Sequence, residues 1–269
     1  MSNATLTGHP VTRSAVRTVV TLTGAVAAIV TVWTIFLRVV EVSPFVAKSP
    51  GDVVTYLFSA PEAAANRSAI ISDLLRTLAD AAYGYLLGLA LAAAVSLLFY
   101  FSRTVESMFT PTVTAVHAIP MVTVAPILVL IFGRGALATA VIGAVVVVVP
   151  ALLTMLHGIR AAPRADLDML TAFGGSTWQI FRKVALPHAV PTWFAAARVA
   201  VTTSVVGALL AEWLATGEGL GGQMLRAANE FQFDRLWASV VVLTVVCVVI
   251  YQVVAVAEDL VAARMSAPR

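Results

Sequence analysis

Long apolar stretches alternate with short polar ones along this chain, and their lengths decide what they form. A helix that crosses a bilayer needs roughly 20 predominantly apolar residues, because backbone N–H and C=O groups cannot be left unpaired in lipid. Six stretches meet that length: residues 15–40, 78–101, 111–132, 136–156, 192–214 and 236–260. The valines 145–149 ahead of Pro150 would read as a strand in water, but the length of the surrounding stretch predicts helix. The first stretch exceeds the roughly 7–15-residue core of a secretory signal and shows no small-x-small cleavage site, so it is expected to remain as a span. Pro111, Pro120 and Pro126 all fall in the third stretch, where each interior proline frees a carbonyl and bends the helix. The pattern predicts an all-α membrane protein of six transmembrane helices, one domain at 15–260 with tails at 1–14 and 261–269.

A long polar, glycine-broken interruption inside the domain is the loop at 157–188. Pro163 suits a first helical turn, and Asp166 and Asp168 follow where the helix dipole favours negative charge. Leu167 with Leu170, and Met169 with Phe173, form apolar pairs at helical spacing, and Gly174 then stops the helix. Ser176 with Gln179 three residues on has the form of a capping box. It predicts a second short helix with Ile180, Phe181 and Val184 on its apolar side, ended by Pro187 and Pro191 before the fifth span. A helix, a sharp bend and a second helix result, and their apolar stripe suits lipid headgroups or a protein groove equally. Two short amphipathic pieces, 52–58 and 70–75, are expected in the segment 41–77 between the first two spans.

Composition agrees with a membrane setting: 60% of residues are hydrophobic and only 12% charged, well below the roughly one quarter of soluble domains. Six spans put both termini on one side, and basic residues choose the side. With the termini inside, Arg13, Arg17, Arg103, Arg160, Arg164, Arg182, Lys183, Arg264 and Arg269 are cytoplasmic, while Lys48, Arg67, Arg134, Arg226 and Arg235 fall outside. The expected location is a bacterial inner membrane, with cytoplasmic tails and loop. The net charge of +3 is scattered over span ends, with no cluster that would track a nucleic acid.

Candidates for chemistry are few. His9, His117, His157 and His188 have no metal-ligand spacing, and the lone Cys247 excludes a disulfide framework, so no metal and no catalytic residue is expected. Neither lysine, Lys48 or Lys183, sits in a phosphate-binding loop, so the chain is expected to be neither an ATPase nor any other enzyme and to hold no cofactor. The glycines of GEGLGG at 217–222 read as an external turn. Within the spans, ionisable groups mark function most often. His117, Pro120, Thr123, Ser204 and Glu212 are the candidates for a solute pathway or gate, Glu212 facing the outer mouth. Asp80 reads as a solvated helix end, Arg198 as snorkelling to the cytoplasm, and Thr202 and Thr203 as hydroxyls bonded back to their own helix.

The segment DMLTAFGGSTWQIFRKVALP, 168–187, resembles the cytoplasmic loop signature of binding-protein-dependent ABC importer permeases. Asp168, Met169 and Leu170 stand at its Glu-Ala-Ala positions, Gly174 at its glycine, Val184 at its isoleucine, and Leu186 and Pro187 at its Leu-Pro. HAIPMVTVAPILVLIFG (117–133), AEWLATGEGLGG (211–222) and RTLADAAYGYLLGLAL (76–91) extend the likeness toward the branch importing sulfonates, taurine and nitrate. The resemblance implies a type I permease fold with a coupling helix between spans four and five, in which Asp168, Met169, Leu170, Phe173, Gly174, Val184, Leu186 and Pro187 engage an ATP-binding subunit. It implies two copies of that subunit, which carries the ATP and Mg, an external solute-binding protein, and a second copy of the chain. Two other classes stay open on the residues alone: a self-sufficient secondary transporter, and a membrane scaffold that moves no solute.

Overall fold

The computed structural model describes residues 10–266, with side chains over 24–261. His9 and Arg269 lie outside the described residues, as do the ends of both expected tails. Among the described residues the secondary structure is all helical: α1 (Pro10–Val39), α2 (Pro50–Val54), α3 (Ala63–Phe101), α4 (Arg103–Ala118), α5 (Met121–Phe132), α6 (Ala136–Arg160), α7 (Arg164–Ala172), α8 (Thr177–Ile180), α9 (Leu186–Ala211), α10 (Gly219–Asn229) and α11 (Phe233–Ser266). Three π-helical turns, Thr55–Ser59, Phe181–Ala185 and Glu212–Thr216, extend α2, join α8 to α9 and prolong α9.

Among the described residues, four segments are long and apolar enough to cross a bilayer: α3, α6, α11 and a continuous helix Thr177–Thr216. The expected third span departs from a single helix. It begins at Arg103, where Ser102 accepts the Val105 amide at 3.4 Å, and breaks between α4 and α5 with a bend of 101°. The cause is local. Ile119 precedes a proline, which disfavours the helical region, and it sits at φ −77°, ψ 123°. Pro111 and Pro126 remain inside unbroken helices. Of the first expected span, 15–40, side chains are described only from Gly24, and the helix is apolar from there through Val39.

The boundary at Pro187 also differs. The chain passes from α8 into α9 without a stop, because the π turn routes the Leu186 amide to the Phe181 carbonyl and carries the helix past a residue with no N–H to give. Likewise, 70–75 is not a separate amphipathic piece but part of α3, which starts well before the expected span.

The core is the crossing of α3, α6 and α9. Apolar side chains gain little by leaving lipid for a protein interior, so helices in a membrane pack where backbones approach closely. A Cβ on Gly84 would lie 2.7 Å from the Gly143 Cα, and one on Gly207 would lie 2.7 Å from that same atom. Toward the end of the bundle carrying α7 and α8, here the loop end, Ala92, Val147, Leu152, Met155 and Ala200 fill the space. Toward the opposite, far end, Leu74, Ala81, Val205, Leu220 and Ala238 do so. α1 leans on α11 through stacked Trp33 and Trp237 rings 5.3 Å apart.

Candidate functional site

The loop end holds a helix–bend–helix module whose every turn follows from its residues. Pro163 starts α7, with Asp166 in its first turn. Gly174 takes φ +73°, a left-handed conformation open to glycine at little cost. Its amide donates to the Thr171 carbonyl at 3.0 Å, and the Gly175 amide reaches back to Leu170 at 2.9 Å. Both bonds together form a Schellman closure, which satisfies carbonyls left over at the helix end. Ser176 then opens α8 with the expected capping box: its amide donates to Gln179 Oε1 at 2.8 Å and its Oγ accepts the Gln179 amide at 3.3 Å.

The two apolar pairs of α7 separate onto different faces. Leu167 and Leu170 pack inward against a cluster of Ile159, Ala162, Phe181, Val184 and Ala189, which Leu186 also joins. Met169 and Phe173 point away from the body, and Phe173 is 85% exposed. Exposed Asp168 lies beside them, and Pro187 is half-buried at the head of α9. Phe181 anchors the module, its ring 5.3 Å from Tyr100 and 5.2 Å from Phe101. Arg160 of α6 and Glu106 of α4 form an ion pair alongside. Of the eight residues expected at this site, the structure thus divides an exposed tip, Asp168, Met169, Phe173 and Gly174, from supports beneath it, Leu170, Val184, Leu186 and Pro187. The tip is thus protruding and largely apolar, backed by packed side chains beneath it.

The residues expected along a pathway do not form one site. His117, Pro120 and Thr123 come together at the α4–α5 break; His117 and Pro120 border a cavity of about 240 Å³ against Val145 and Val149 of α6, and the Thr123 hydroxyl donates to the Pro120 carbonyl at 2.6 Å. Ser204 is buried elsewhere, its hydroxyl donating to Val201 at 2.9 Å. Thr202 and Thr203 bond back to their own helix in the same way.

Glu212 does not face an outer mouth. It is completely buried, and its carboxylate accepts from the Thr77 hydroxyl at 2.6 Å and the Gly221 amide at 2.7 Å. The Thr77 oxygen in turn accepts the Leu220 amide at 2.8 Å. The glycines around it supply the room: Gly219 stands at φ +71°, and a Cβ there or on Gly221 would fall 2.1 or 2.6 Å from a Glu212 carboxyl oxygen. Thr77 was not singled out from sequence, and GEGLGG read only as a turn; glycines seven and nine residues after an acid were the available signal. Asp80 is half-buried a turn along α3. Arg198, expected at a span end, has a partner on another helix. It pairs with Glu258 of α11 at 3.2 Å, and its guanidinium carbon lies 5.4 Å from the Tyr251 ring centre, while its Nε is buried without a hydrogen-bond partner.

Outside the spans, the carboxyl of Asp52 is held below its ordinary pKa, first by the Ser49 backbone amide at 2.8 Å and then by the Ser49 hydroxyl.

Comparison with known proteins places this geometry. Residues 84–267 match the family described as binding-protein-dependent transport system inner membrane component. The chain is 31% identical over 206 residues to a probable ABC transporter permease protein of Haemophilus influenzae, covering 75% of this chain and 84% of that one. It is 27% identical over 213 residues to the formylaminopyrimidine transport permease protein ThiX of Halalkalibacterium halodurans, covering 79% and 83%. Among solved structures, the inward-facing MetNI methionine ABC transporter superposes with a TM-score of 0.61 at 20% identity, over 74% of this chain and 96% of that one, a likeness of fold.

Proposed function

Given that the chain belongs to the family of inner-membrane permeases of binding-protein-dependent ABC importers, we propose that residues 164–187 are its coupling element and seat in a groove of a separate ATP-binding subunit. The observation that carries this reading is the division of α7 into an anchored face, Leu167 and Leu170, and an exposed tip, Met169 and Phe173, held by the Schellman closure at Gly174. A tip of this kind transmits displacement only if its base is stiff. Here the base is continuous with a spanning helix, since the π turn at Phe181–Ala185 fuses α8 to α9. Movement of the tip is therefore movement of α9.

The working unit on this reading is two copies of the chain with two ATP-binding subunits, which hold the ATP and Mg. The loop end faces the cytoplasm, and α2, α10 and the intervening far-end surface receive an external solute-binding protein. Closure of the ATP-bound subunits draws the two coupling elements together as rigid bodies and turns the solute route from one side of the membrane to the other. Translocation changes no covalent bond, so the permease is not itself an enzyme. The solute is a small organic molecule. The relative named for formylaminopyrimidine supports placing a nitrogen heterocycle ahead of the sulfonate, taurine or nitrate class.

Tagged purification of the chain from its own membrane in mild detergent, with partners counted by mass spectrometry, tests the assembly. Two copies of the chain with two of an ATP-binding subunit are expected. A chain recovered repeatedly without any ATPase, under conditions that preserve a known ABC complex, overturns it in favour of a self-sufficient transporter.

A further inference from the structure

Beneath the loop module, a cavity of about 330 Å³ opens between the loop ends of α3 and α6 and the first turn of α7. Arg103, Arg160 and Arg164 line it, and no carboxylate does. Arg160 is engaged by Glu106, whereas Arg103 and Arg164 make no ion pair among the described residues. Three cations less one carboxylate partner leave two positive charges uncompensated around one cavity. Asp166 is near in sequence but does not line it. Pro163 offers no side-chain acceptor to the start of α7, so the helix end adds partial positive charge on the same side. The remaining wall, Tyr100, Ile159 and Leu167 among it, is largely apolar.

Like charges gathered in this way favour an anion that bridges them, and the planar guanidinium matches phosphate oxygens two at a time. The cavity's depth identifies the source of the phosphate. It lies where two membrane helices end, at Phe101 and Arg160, with Tyr100 in its wall and the exposed Trp178 ring tilted against Phe101, centroids 6.0 Å apart. Aromatic rings and basic residues at that level mark the headgroup region of a bilayer. We propose that this cavity binds the phosphate of an anionic phospholipid in the leaflet at the loop end, with Arg103 and Arg164 as its ligands and the apolar wall against the glycerol and upper acyl chain. A lipid so placed is wedged beneath α7 and fixes the angle at which the loop module stands off the membrane.

The proposal rests on the permease reading only in calling that leaflet cytoplasmic, and its test needs neither ATP nor transport. The full-length chain is purified in detergent, exposed to equal phosphatidylglycerol and phosphatidylcholine, and the retained lipid is read by native mass spectrometry. Phosphatidylglycerol is expected to be retained selectively. Arg103→Gln with Arg164→Gln should weaken retention roughly 25-fold, since each basic residue near an anionic headgroup contributes roughly fivefold. Arg134→Gln, at an exposed turn at the far end, should leave it unchanged. If the glutamine pair fails to fold, Arg103→Lys with Arg164→Lys keeps the charge and should keep most of the selectivity. Equal retention of the two lipids, or undiminished phosphatidylglycerol in a folded glutamine variant, overturns the proposal. Displacement of the lipid by millimolar inorganic phosphate overturns the lipid source and reassigns the arginines to a free anion.

Discussion

The carboxylate of Glu212 accepts a hydrogen bond from the Thr77 hydroxyl at 2.6 Å, joining the turn that prolongs α9 to α3 and, through Leu220 and Gly221, to the start of α10. This network is a structural clasp at the far end of the bundle. Thr77→Val leaves a buried carboxyl short of a donor and should lower stability by about 1–3 kcal/mol, read as earlier thermal unfolding in detergent. Glu212→Gln keeps an acceptor and should cost less than Glu212→Ala. A double-mutant cycle between Thr77→Val and Glu212→Ala should be clearly non-additive; additive losses would mean the two side chains do not act on each other.

The three-glycine crossing sets a second expectation. Gly143→Ala places a methyl 2.9 Å from the Gly84 Cα, where only backbone can give way. Forced overpacking of this kind costs about 1–3 kcal/mol, so folded yield in the membrane should fall, and Gly143→Val should fall further. Gly24→Ala, with nothing within 4 Å of the new atom, should match the parent. Equal yields for Gly24→Ala and Gly143→Val would show that the crossing tolerates separation.

Arg198 and Glu258 tie α9 to α11. Reversing one charge, Arg198→Glu, juxtaposes two carboxylates and should deplete the folded protein severely. Adding Glu258→Arg should restore most of it, measured as monodisperse protein extracted per cell. Failure of the second change to rescue the first would assign the loss to packing against Tyr251 instead.

At the far-end surface, the Ser49–Asp52 capping box has a defined pH signature. Asp52's folded pKa lies below its unfolded value, so the stability it contributes is present above the unfolded pKa and is lost as pH falls through the folded one. Carbon-13 titration of the Asp52 carboxyl should show the depressed midpoint, moving part of the way back in Ser49→Ala because the backbone donor remains. A midpoint already at the ordinary carboxylate value in the parent would refute the capping geometry.

Legibility from sequence followed the range of the interactions. The loop module was readable because its signals are local: Gly174 needs only its own φ, and Ser176 finds Gln179 three residues away. Apolar length likewise located α3, α6, α9 and α11, since it answers to the bilayer rather than to partners. What escaped depended on distant or competing groups. Glu212 looked like a mouth residue because Thr77, its partner, is 135 positions away. Three prolines in one stretch looked equivalent, yet only Pro120 breaks the helix, while at Pro187 a widened turn absorbs the missing donor. Met169 and Phe173 were visible as an apolar pair, but which pair of α7 would be buried was decided by Ile159 and Phe181 from other elements.

The central claim, that the exposed tip of α7 engages the ATP-binding subunit, is tested most directly by ATP-driven uptake in vesicles carrying Phe173→Asp together with Met169→Asp. Neither side chain packs into the core, so the amount of chain in the membrane should match the parent. Uptake should fall at least about tenfold, the loss of roughly 1.4 kcal/mol expected when an apolar anchor is removed from a docked interface, and the ATP-binding subunit should no longer co-purify. Parental uptake with the ATPase still bound would contradict the account.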